Sequence, residues 1–73
     1  MHRELATLKK TIGSRIRMRR SDLRISQEDL AFRAELTPTY LSQLENGKRN
    51  PSLELLCRIC SVLEMELVEL VKR

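Results

Sequence analysis

Two short helix signals lie almost end to end in the middle of this sequence. The first begins after Ser26 and stops near Glu35, and the second begins at Thr37-Pro38 and ends at Gly47. Ser and Thr are favourable N-caps, Pro suits the first helical turn, and Gly is a natural left-handed C-cap. So short a connection makes the helices cross steeply, and such a pair cannot bury its apolar face by itself. We therefore predict a helix-turn-helix over about residues 27–45 that packs on further helices.

The segment before this pair has the pattern of one long helix. Apolar residues recur there at helical spacings, the signature of a single buried face: Leu5, Leu8, Ile12 and Ile16. We predict a helix from about Arg3 to Asp22, with residues 1–9 as an N-terminal extension. Gly13 in its middle costs about 1 kcal/mol relative to Ala, and a close approach of another backbone would explain its presence.

The segment after the pair supplies two more helices. Ser52 is an N-cap for a fourth helix, whose predicted buried stripe is Leu53, Leu56, Cys57, Cys60 and Leu63. A short fifth helix is marked by Leu67, Leu70 and Val71. With 73 residues, 41% hydrophobic and 3% aromatic content, the chain can form one domain with a small aliphatic core. Because Gly and Pro are scarce, we predict an all-α, compact five-helix bundle over residues 1–73 rather than a β-sandwich.

The sequence also argues against several other classes of protein. No apolar run is long enough to span a membrane, and no apolar region follows the N-terminus, so a secretory signal is not expected. Cys57 and Cys60 could form half a zinc site or a redox pair, but the only His is His2 and no second Cys pair is present. We therefore predict buried thiols in a reducing cytoplasm, with no metal and no cofactor. The terminal His and the lack of a Gly-rich phosphate loop argue against an enzyme.

The net charge of +4 is unevenly distributed along the chain. Residues 9–24 hold seven Lys and Arg against Asp22 alone, residues 25–47 are net acidic, and Lys48 and Arg49 follow. Two basic patches on either side of a less basic centre suit a polyanion that is contacted on both sides. The alternative is the solvated charged surface that any small domain needs.

The outward face of the predicted third helix carries short and mostly uncharged side chains. If Leu41 and Leu44 point inward, Gln43 could pair with an adenine edge and the methyl group of Thr39 could meet thymine. The helix N-terminus at Thr37 offers free N–H groups to a phosphate. For this helix alone, an ordinary solvent-exposed face is the simpler interpretation.

A longer pattern runs through the same region. Ser26-Gln27-Glu28-Asp29-Leu30-Ala31 is followed by Ala34, Leu36, Tyr40-Leu41-Ser42 and Leu44-Glu45-Asn46-Gly47-Lys48-Arg49-Asn50-Pro51-Ser52-Leu53. Over about residues 10–71 the sequence resembles the Cro/C1-type, or lambda-repressor-like, helix-turn-helix family. The resemblance implies a sequence-specific transcriptional regulator that binds a palindromic double-stranded DNA operator as a homodimer, with helix 37–45 in the major groove. Chains this short resemble restriction-modification controllers and small phage or plasmid repressors.

The resemblance also implies roles for individual residues. Five positions match the family's base-reading surface: Thr37, Pro38, Thr39, Ser42 and Gln43. Six match contacts to the DNA backbone: Gln27, Tyr40, Asn46, Lys48, Arg49 and Arg20. Glu45 matches a carboxylate that pairs with Arg20, and a purely structural ion pair is the alternative. The implied dimer interface is the last helix, through Leu67, Val68, Leu70 and Val71. All four could instead close the bundle, and Leu67 and Leu70 fit the inward period better than the two valines.

Several residues depart from the family pattern. Arg24, Glu35 and Glu64 stand just past the first, second and fourth helices, where the family often has Gly. Either these turns differ or the fold is less stable. Phe32 lies on the outer face of the second helix, where it packs under the extra N-terminal turns, contacts a partner or is a lone exposed side chain that needs no function. The alternative function is a protein-interaction module, such as the DNA-binding antitoxin of a toxin pair. RNA polymerase and a toxin are the further partners that these interpretations allow.

Overall fold

The computed structural model describes residues 2–72, and within that range the chain is all-helical with five α-helices. They are α1 (His2–Asp22), α2 (Gln27–Arg33), α3 (Pro38–Glu45), α4 (Leu53–Leu63) and α5 (Leu67–Val71). The predicted five-helix architecture and the helix-turn-helix formed by α2 and α3 are confirmed. None of the helices in this range is long and apolar enough to cross a membrane.

Local capping signals place the starts of the three central helices. The hydroxyl groups of Ser26, Thr37 and Ser52 accept hydrogen bonds at 3.0–3.1 Å from backbone N–H groups three residues later. Each bond satisfies a donor that the first helical turn leaves without a partner. In the first turn of α2, the Asp29 carboxylate also binds the guanidinium of Arg33 at 3.0 Å.

The core is aliphatic and draws on all five helices. Its fully buried large side chains are Ile16, Leu30, Leu41, Leu44, Ile59, Leu63 and Leu70. Two predictions for α4 were wrong, because Leu53 is 70% exposed and Cys57 is exposed as well. At about 100° per residue, Cys57 lies about 200° around the helix from Ile59. The buried stripe of α4 is therefore centred on Ile59, a residue that the sequence prediction did not include.

The N-terminal turns of α1 extend beyond the core. Leu5 and Leu8 are exposed, contrary to the predicted buried face, whereas Ile12 and Ile16 are buried as expected. These turns line a recess with residues at the end of α5 rather than covering α2. Phe32 on α2 is consequently 82% exposed, so the predicted packing of Phe32 under the extension is wrong.

Arginine side chains bind the carbonyl ends of three helices. Arg15 donates to the carbonyl oxygens of Leu70 at 3.1 Å and Lys72 at 2.6 Å, at the end of α5. Arg19 donates to the Leu63 carbonyl of α4 at 2.9 Å. Arg58 binds the carbonyl of Ala34 beyond α2 at 3.0 Å. These bonds satisfy carbonyl groups that the last helical turns leave open and favour the negative end of each helix dipole.

The turns after α1, α2 and α4 have the left-handed geometry for which Gly is best suited. Arg24, Glu35 and Glu64 have φ values of 58°, 60° and 54°. The alternative of altered turns is thus wrong, and a conformational cost of about 1 kcal/mol or more at each position follows. α2 and α3 remain packed on each other despite the Glu in the turn between them.

Replacing Glu35 or Glu64 with Gly should stabilise the protein. Each substitution removes a Cβ from the left-handed region, so we expect the free energy of unfolding to rise by about 1 kcal/mol. Thermal unfolding followed by circular dichroism should show a midpoint higher by about 4–8 °C. Met18→Gly, at an exposed site inside α1, is the control and should destabilise by about 1 kcal/mol. Equal losses in all three variants would contradict the strain argument.

Candidate nucleic-acid interface

The helix-turn-helix presents the outer face of α3 to solvent. Leu41 and Leu44 are fully buried and fix the rotation of this helix against the core. The opposite face and the first turn carry the five predicted base-reading residues. Thr37, Pro38 and Thr39 are exposed, and Ser42 and Gln43 are half-buried. The structure therefore brings the five together, four of them on α3 and Thr37 as its N-cap.

Arg49 links the loop after α3 to this face. Its Nε atom donates to Oε1 of Gln43 at 2.8 Å, and its guanidinium carbon lies 5.0 Å from the centroid of the Tyr40 ring. That distance is typical of a cation–π contact. The loop arginine thus holds the Gln43 side chain and the Tyr40 ring in one cluster at the edge of α3.

Arg20 and Glu45 form the ion pair that the sequence predicted. The guanidinium binds the carboxylate through two parallel bonds, Nε to Oε2 at 2.8 Å and Nη2 to Oε1 at 3.0 Å. Gln27 donates to the same Oε1 at 3.0 Å, and Arg20 also donates to the Ile25 carbonyl at 3.0 Å. The hydrogen bond from Glu45 raises the pKa of the Arg20 guanidinium above its ordinary value. Glu45 is only 3% exposed, and the guanidinium of Arg20 balances its negative charge. The outer face of α3 therefore carries no unpaired negative charge from Glu45.

Three of the six residues predicted to contact the DNA backbone follow the end of α3: Asn46, Lys48 and Arg49. Asn46 donates from its side-chain amide to the Ser42 carbonyl at 2.8 Å, which closes the last turn of α3. Lys48 and Arg49 are exposed in the loop, and Gly47 between them and Asn46 is left-handed with a φ of 74°. The side chain of Asn46 therefore has a structural bond in addition to the predicted role.

The basic stretch of α1 is divided between two sides of the bundle. Arg15 and Arg19 bind carbonyl groups of α5 and α4 and lie away from α3. Lys10 and Arg17, together with Ser14, line a recess beside Glu45 and Asn46. The sequence prediction did not single out Lys10 and Arg17. Their spacing of seven residues around Gly13 places them on one helical face, which was the available signal.

The predicted dimer residues divide into buried and exposed pairs. Leu70 is fully buried and Leu67 partly buried against the core. Val68 is 59% exposed, and Val71 is also exposed. The predicted division between inward leucines and outward valines is confirmed, and the assembly itself stays a prediction.

The two cysteines have different surroundings. Cys60 is buried in the core, as predicted, and desolvation raises the pKa of its thiol. Cys57 lies on the exposed face of α4, so the prediction of two buried thiols is wrong for this residue. Among the side chains of residues 3–72, no group of three or more His, Cys, Asp or Glu lies close enough together to hold a metal ion.

The fold and this surface together define a helix-turn-helix domain of the DNA-binding class. Comparison with known proteins identifies the family to which it belongs. A helix-turn-helix family model matches residues 16–70. Control protein C.MunI from a Mycoplasma species is 39% identical over 64 residues, which make up 86% of both chains. The immunity repressor protein of Bacillus phage phi105 is 33% identical over 61 residues, or 84% of this chain and 42% of the repressor.

A solved structure agrees with these sequence matches. The crystal structure of the restriction-modification controller protein C.AhdI from Aeromonas hydrophila superposes with a TM-score of 0.83 at 37% identity. The match covers 89% of this chain and 97% of C.AhdI. The chain therefore belongs to the Cro/C1-type helix-turn-helix family of DNA-binding transcription regulators.

Proposed function

We propose that this protein is a sequence-specific transcriptional regulator that binds a palindromic operator in double-stranded DNA as a homodimer. The observation that carries the proposal is the outer face of α3, where uncharged side chains are exposed or half-buried on a helix whose inner face is fixed by Leu41 and Leu44. A helix presented in this way fits the major groove, where each base pair has a distinct pattern of donors and acceptors. Restriction-modification controllers and phage repressors are the relatives that favour this role.

Gln43 is the residue that we expect to discriminate most between bases. Its side chain can accept from the adenine amino group and donate to the adenine ring nitrogen at the same time. The bond from Arg49 uses only one lone pair of Oε1, so the second remains for a base. Thr37, Pro38, Thr39 and Ser42 complete the proposed reading face through hydroxyl and methyl contacts.

The residues that flank α3 are proposed to bind phosphate groups. Lys48 and Arg49 lie in the loop beyond α3, where the sugar-phosphate backbone of the DNA would border the major groove. Gln27, Tyr40 and Asn46 would add polar contacts. Arg20 would reach the backbone while it is oriented by Glu45, because a guanidinium held by two bonds still has donors to spare.

Homodimer formation is proposed to use the exposed side of α5. Val68 and Val71 are apolar and face solvent, whereas Leu67 and Leu70 below them hold α5 on the bundle. A two-fold dimer would place two copies of α3 in successive major grooves, with half-sites about one helical turn, or about 34 Å, apart. Operator symmetry would then mirror the symmetry of the protein.

Selection from random duplexes tests the proposal directly. The purified chain should enrich a palindromic sequence, and sedimentation of the complex should give two protein chains for each duplex. Binding to the selected duplex should weaken steeply with salt, since each neutralised phosphate contributes about −0.9 to the slope of log affinity against log salt. The absence of any enriched sequence would count against the proposal.

Gln43→Ala and Lys48→Ala should affect different properties of binding. Loss of a bidentate base contact costs about 1–3 kcal/mol of discrimination, so Gln43→Ala should lower the ratio of operator to random-DNA affinity by about tenfold or more. Lys48→Ala should weaken both affinities by a similar factor and lower the salt slope by about 0.9 per contact. Titration of labelled duplexes at several salt concentrations measures both effects. Equal losses of discrimination in the two variants would contradict this division of roles.

The exposed Phe32 favours a second candidate function, a protein-interaction module such as a DNA-binding antitoxin. An aromatic ring that is 82% exposed on a small domain is a suitable anchor for a partner protein. Phe32→Ala separates the two hypotheses, because it should leave operator binding by the isolated chain unchanged. The interaction module becomes the better interpretation if two results are found together: the chain selects an operator only with a second protein, and Phe32→Ala abolishes binding of that second protein.

A further inference from the structure

We infer that Lys10 and Arg17 of α1 form a phosphate-binding recess of their own, which holds a backbone phosphate of the bound DNA beside the end of α3. The inference rests on the proposed function and names two residues that the family resemblance did not assign. The recess has a volume of about 260 Å³, and its lining is Lys10, Ser14, Arg17, Glu45 and Asn46. It lies where the long first helix crosses the C-terminal end of α3.

The position of the recess is fixed by two close contacts of α1, one with the backbone of α3 and one with Gly47. A Cβ atom added to Gly13 would lie 2.3 Å from the Leu44 carbonyl oxygen, so α1 touches α3 at this point without an intervening side chain. One helical turn earlier, Lys10 packs against the loop, because a Cβ atom on Gly47 would lie 2.8 Å from the Lys10 Cγ. The base of the Lys10 side chain is therefore held on the loop that carries Lys48.

The charge of the recess is positive, although a carboxylate is among its lining groups. Both oxygens of Glu45 accept bonds from Arg20, and one of them accepts a further bond from Gln27. Within residues 2–72 the salt bridges are Arg20–Glu45 and Arg33–Asp29, so neither Lys10 nor Arg17 has an acidic partner there. Two cations that have no carboxylate partner, together with the half-buried hydroxyl of Ser14, are donors that suit a phosphate oxygen.

The recess extends the proposed DNA-contacting surface from the loop after α3 onto α1. Lys10, Arg17 and Arg20 follow one another along α1 beside the end of α3, and Lys48 and Arg49 continue from there into the loop. A DNA strand that passes along the groove wall would meet the loop first and the recess next. Phosphate contacts position a duplex without reading its sequence, so the recess should add affinity and leave base discrimination unchanged.

The test compares two double variants with the same net charge. Lys10→Gln with Arg17→Gln keeps the methylene groups that pack on Gly47 and removes both charges of the recess. Arg3→Gln with Arg33→Gln removes two charges at sites away from α3: Arg3 lines the recess next to α5, and Arg33 pairs with Asp29 on α2. The probes are the duplex selected by wild-type protein and a scrambled duplex, each titrated from low to moderate salt.

We expect the recess variant to bind both duplexes about tenfold to a hundredfold more weakly at low salt, with the ratio of the two affinities unchanged. Its salt slope should fall by about 0.9 per subunit, or about 1.8 for the proposed dimer, because each subunit loses one phosphate contact. The control variant should change affinity by less than about threefold, because long-range charge effects are screened within about 10 Å at 0.1 M salt. Thermal midpoints should be similar for wild-type protein and both variants, since the mutated groups are at the surface.

Replacement of single phosphates by neutral methylphosphonates locates the contact. One position in each half-site should weaken wild-type binding and have no effect on the recess variant. Equal salt slopes for the two double variants, or no such position, would overturn the inference. These outcomes differ from failure of the proposed function, in which the wild-type protein would select no duplex at all.

Discussion

Gly13→Ala is expected to lower the free energy of unfolding by about 3 kcal/mol, at the upper end of the usual cost of overpacking. The new Cβ atom would lie 2.3 Å from the carbonyl oxygen of Leu44 and 2.7 Å from that of Glu45. Both are backbone atoms, so no side-chain rotation relieves the clash and the two helices must separate. The gain of about 1 kcal/mol in helix propensity from Gly to Ala is too small to compensate.

The effect is large in relation to the total stability of so small a domain. At about 0.05–0.15 kcal/mol per residue, the loss would be about a quarter or more of the free energy of unfolding. The thermal midpoint should fall by more than about 10 °C. Urea and thermal unfolding monitored by circular dichroism measure both values.

Ser21→Ala is a matched control on the same helix, because Ser21 is exposed and the substitution adds no atom. Its effect should be within about 0.5 kcal/mol. If Gly13→Ala were as stable as wild type, the contact between the α1 and α3 backbones would not be as close as the structure shows. Even where the variant stays folded, displacement of α3 should weaken operator binding, since base contacts depend on its position.

The parts of the fold that the sequence predicted correctly depend on local signals. Ser26, Thr37 and Ser52 each cap a helix through a hydrogen bond within their own first turn. Helix starts were therefore visible without any knowledge of tertiary structure. The turns after α1, α2 and α4 were recognised in a different way, because the family that the sequence resembles often has Gly at these positions.

The errors concern contacts between residues that are distant in sequence. A stripe through Cys57 and a stripe through Ile59 fit the helical period of α4 about equally well, and packing against α2 decides between them. The charge of Arg15 indicates a basic patch. Its bond to the Leu70 carbonyl of α5 joins residues that are 55 positions apart, so no local pattern reveals it. The exposure of Phe32 likewise depends on the direction in which the N-terminal extension leaves the bundle.

The candidate site shows the same division. The reading face of α3 was predictable because burial of Leu41 and Leu44 determines which residues point outward. The pairing of Arg20 with Glu45 came from a family pattern and was confirmed by the structure. The spacing of Lys10 and Arg17 around Gly13 is a local pattern. The recess also requires the crossing of α1 over α3, which brings Glu45 and Asn46 beside these residues and is not visible in that pattern.

Arg20→Ala is expected to have the second large effect, a loss of about 3–5 kcal/mol, because it leaves the buried Glu45 carboxylate without its cation. The side chain of Glu45 is 1% exposed and that of Arg20 is 16% exposed. Glu45→Ala should therefore cost less, since the guanidinium can turn toward water while the carboxylate cannot. Urea unfolding of both single variants and of the double variant gives the coupling energy, which should lie between about 0.5 and 3 kcal/mol.

The pair formed by Asp29 and Arg33 on α2 is the control, because its side chains are 42% and 51% exposed. Removal of either partner should change stability by no more than about 1 kcal/mol, as is usual for surface ion pairs. If Arg20→Ala behaved in the same way, the buried pair would contribute nothing beyond an ordinary surface contact.

Arg20→Met combined with Glu45→Met separates stability from DNA binding. Well-packed apolar residues often replace a buried ion pair without loss, and sometimes with a gain, of stability. If Arg20 also contacts a phosphate, the double variant should fold as well as wild type and yet bind the selected operator at least about tenfold more weakly, with a lower salt slope. Unchanged affinity in a stable double variant would show that the pair only holds α1 and α3 together. The two roles would then belong to different residues, with phosphate binding left to the loop after α3 and to the recess at Lys10 and Arg17.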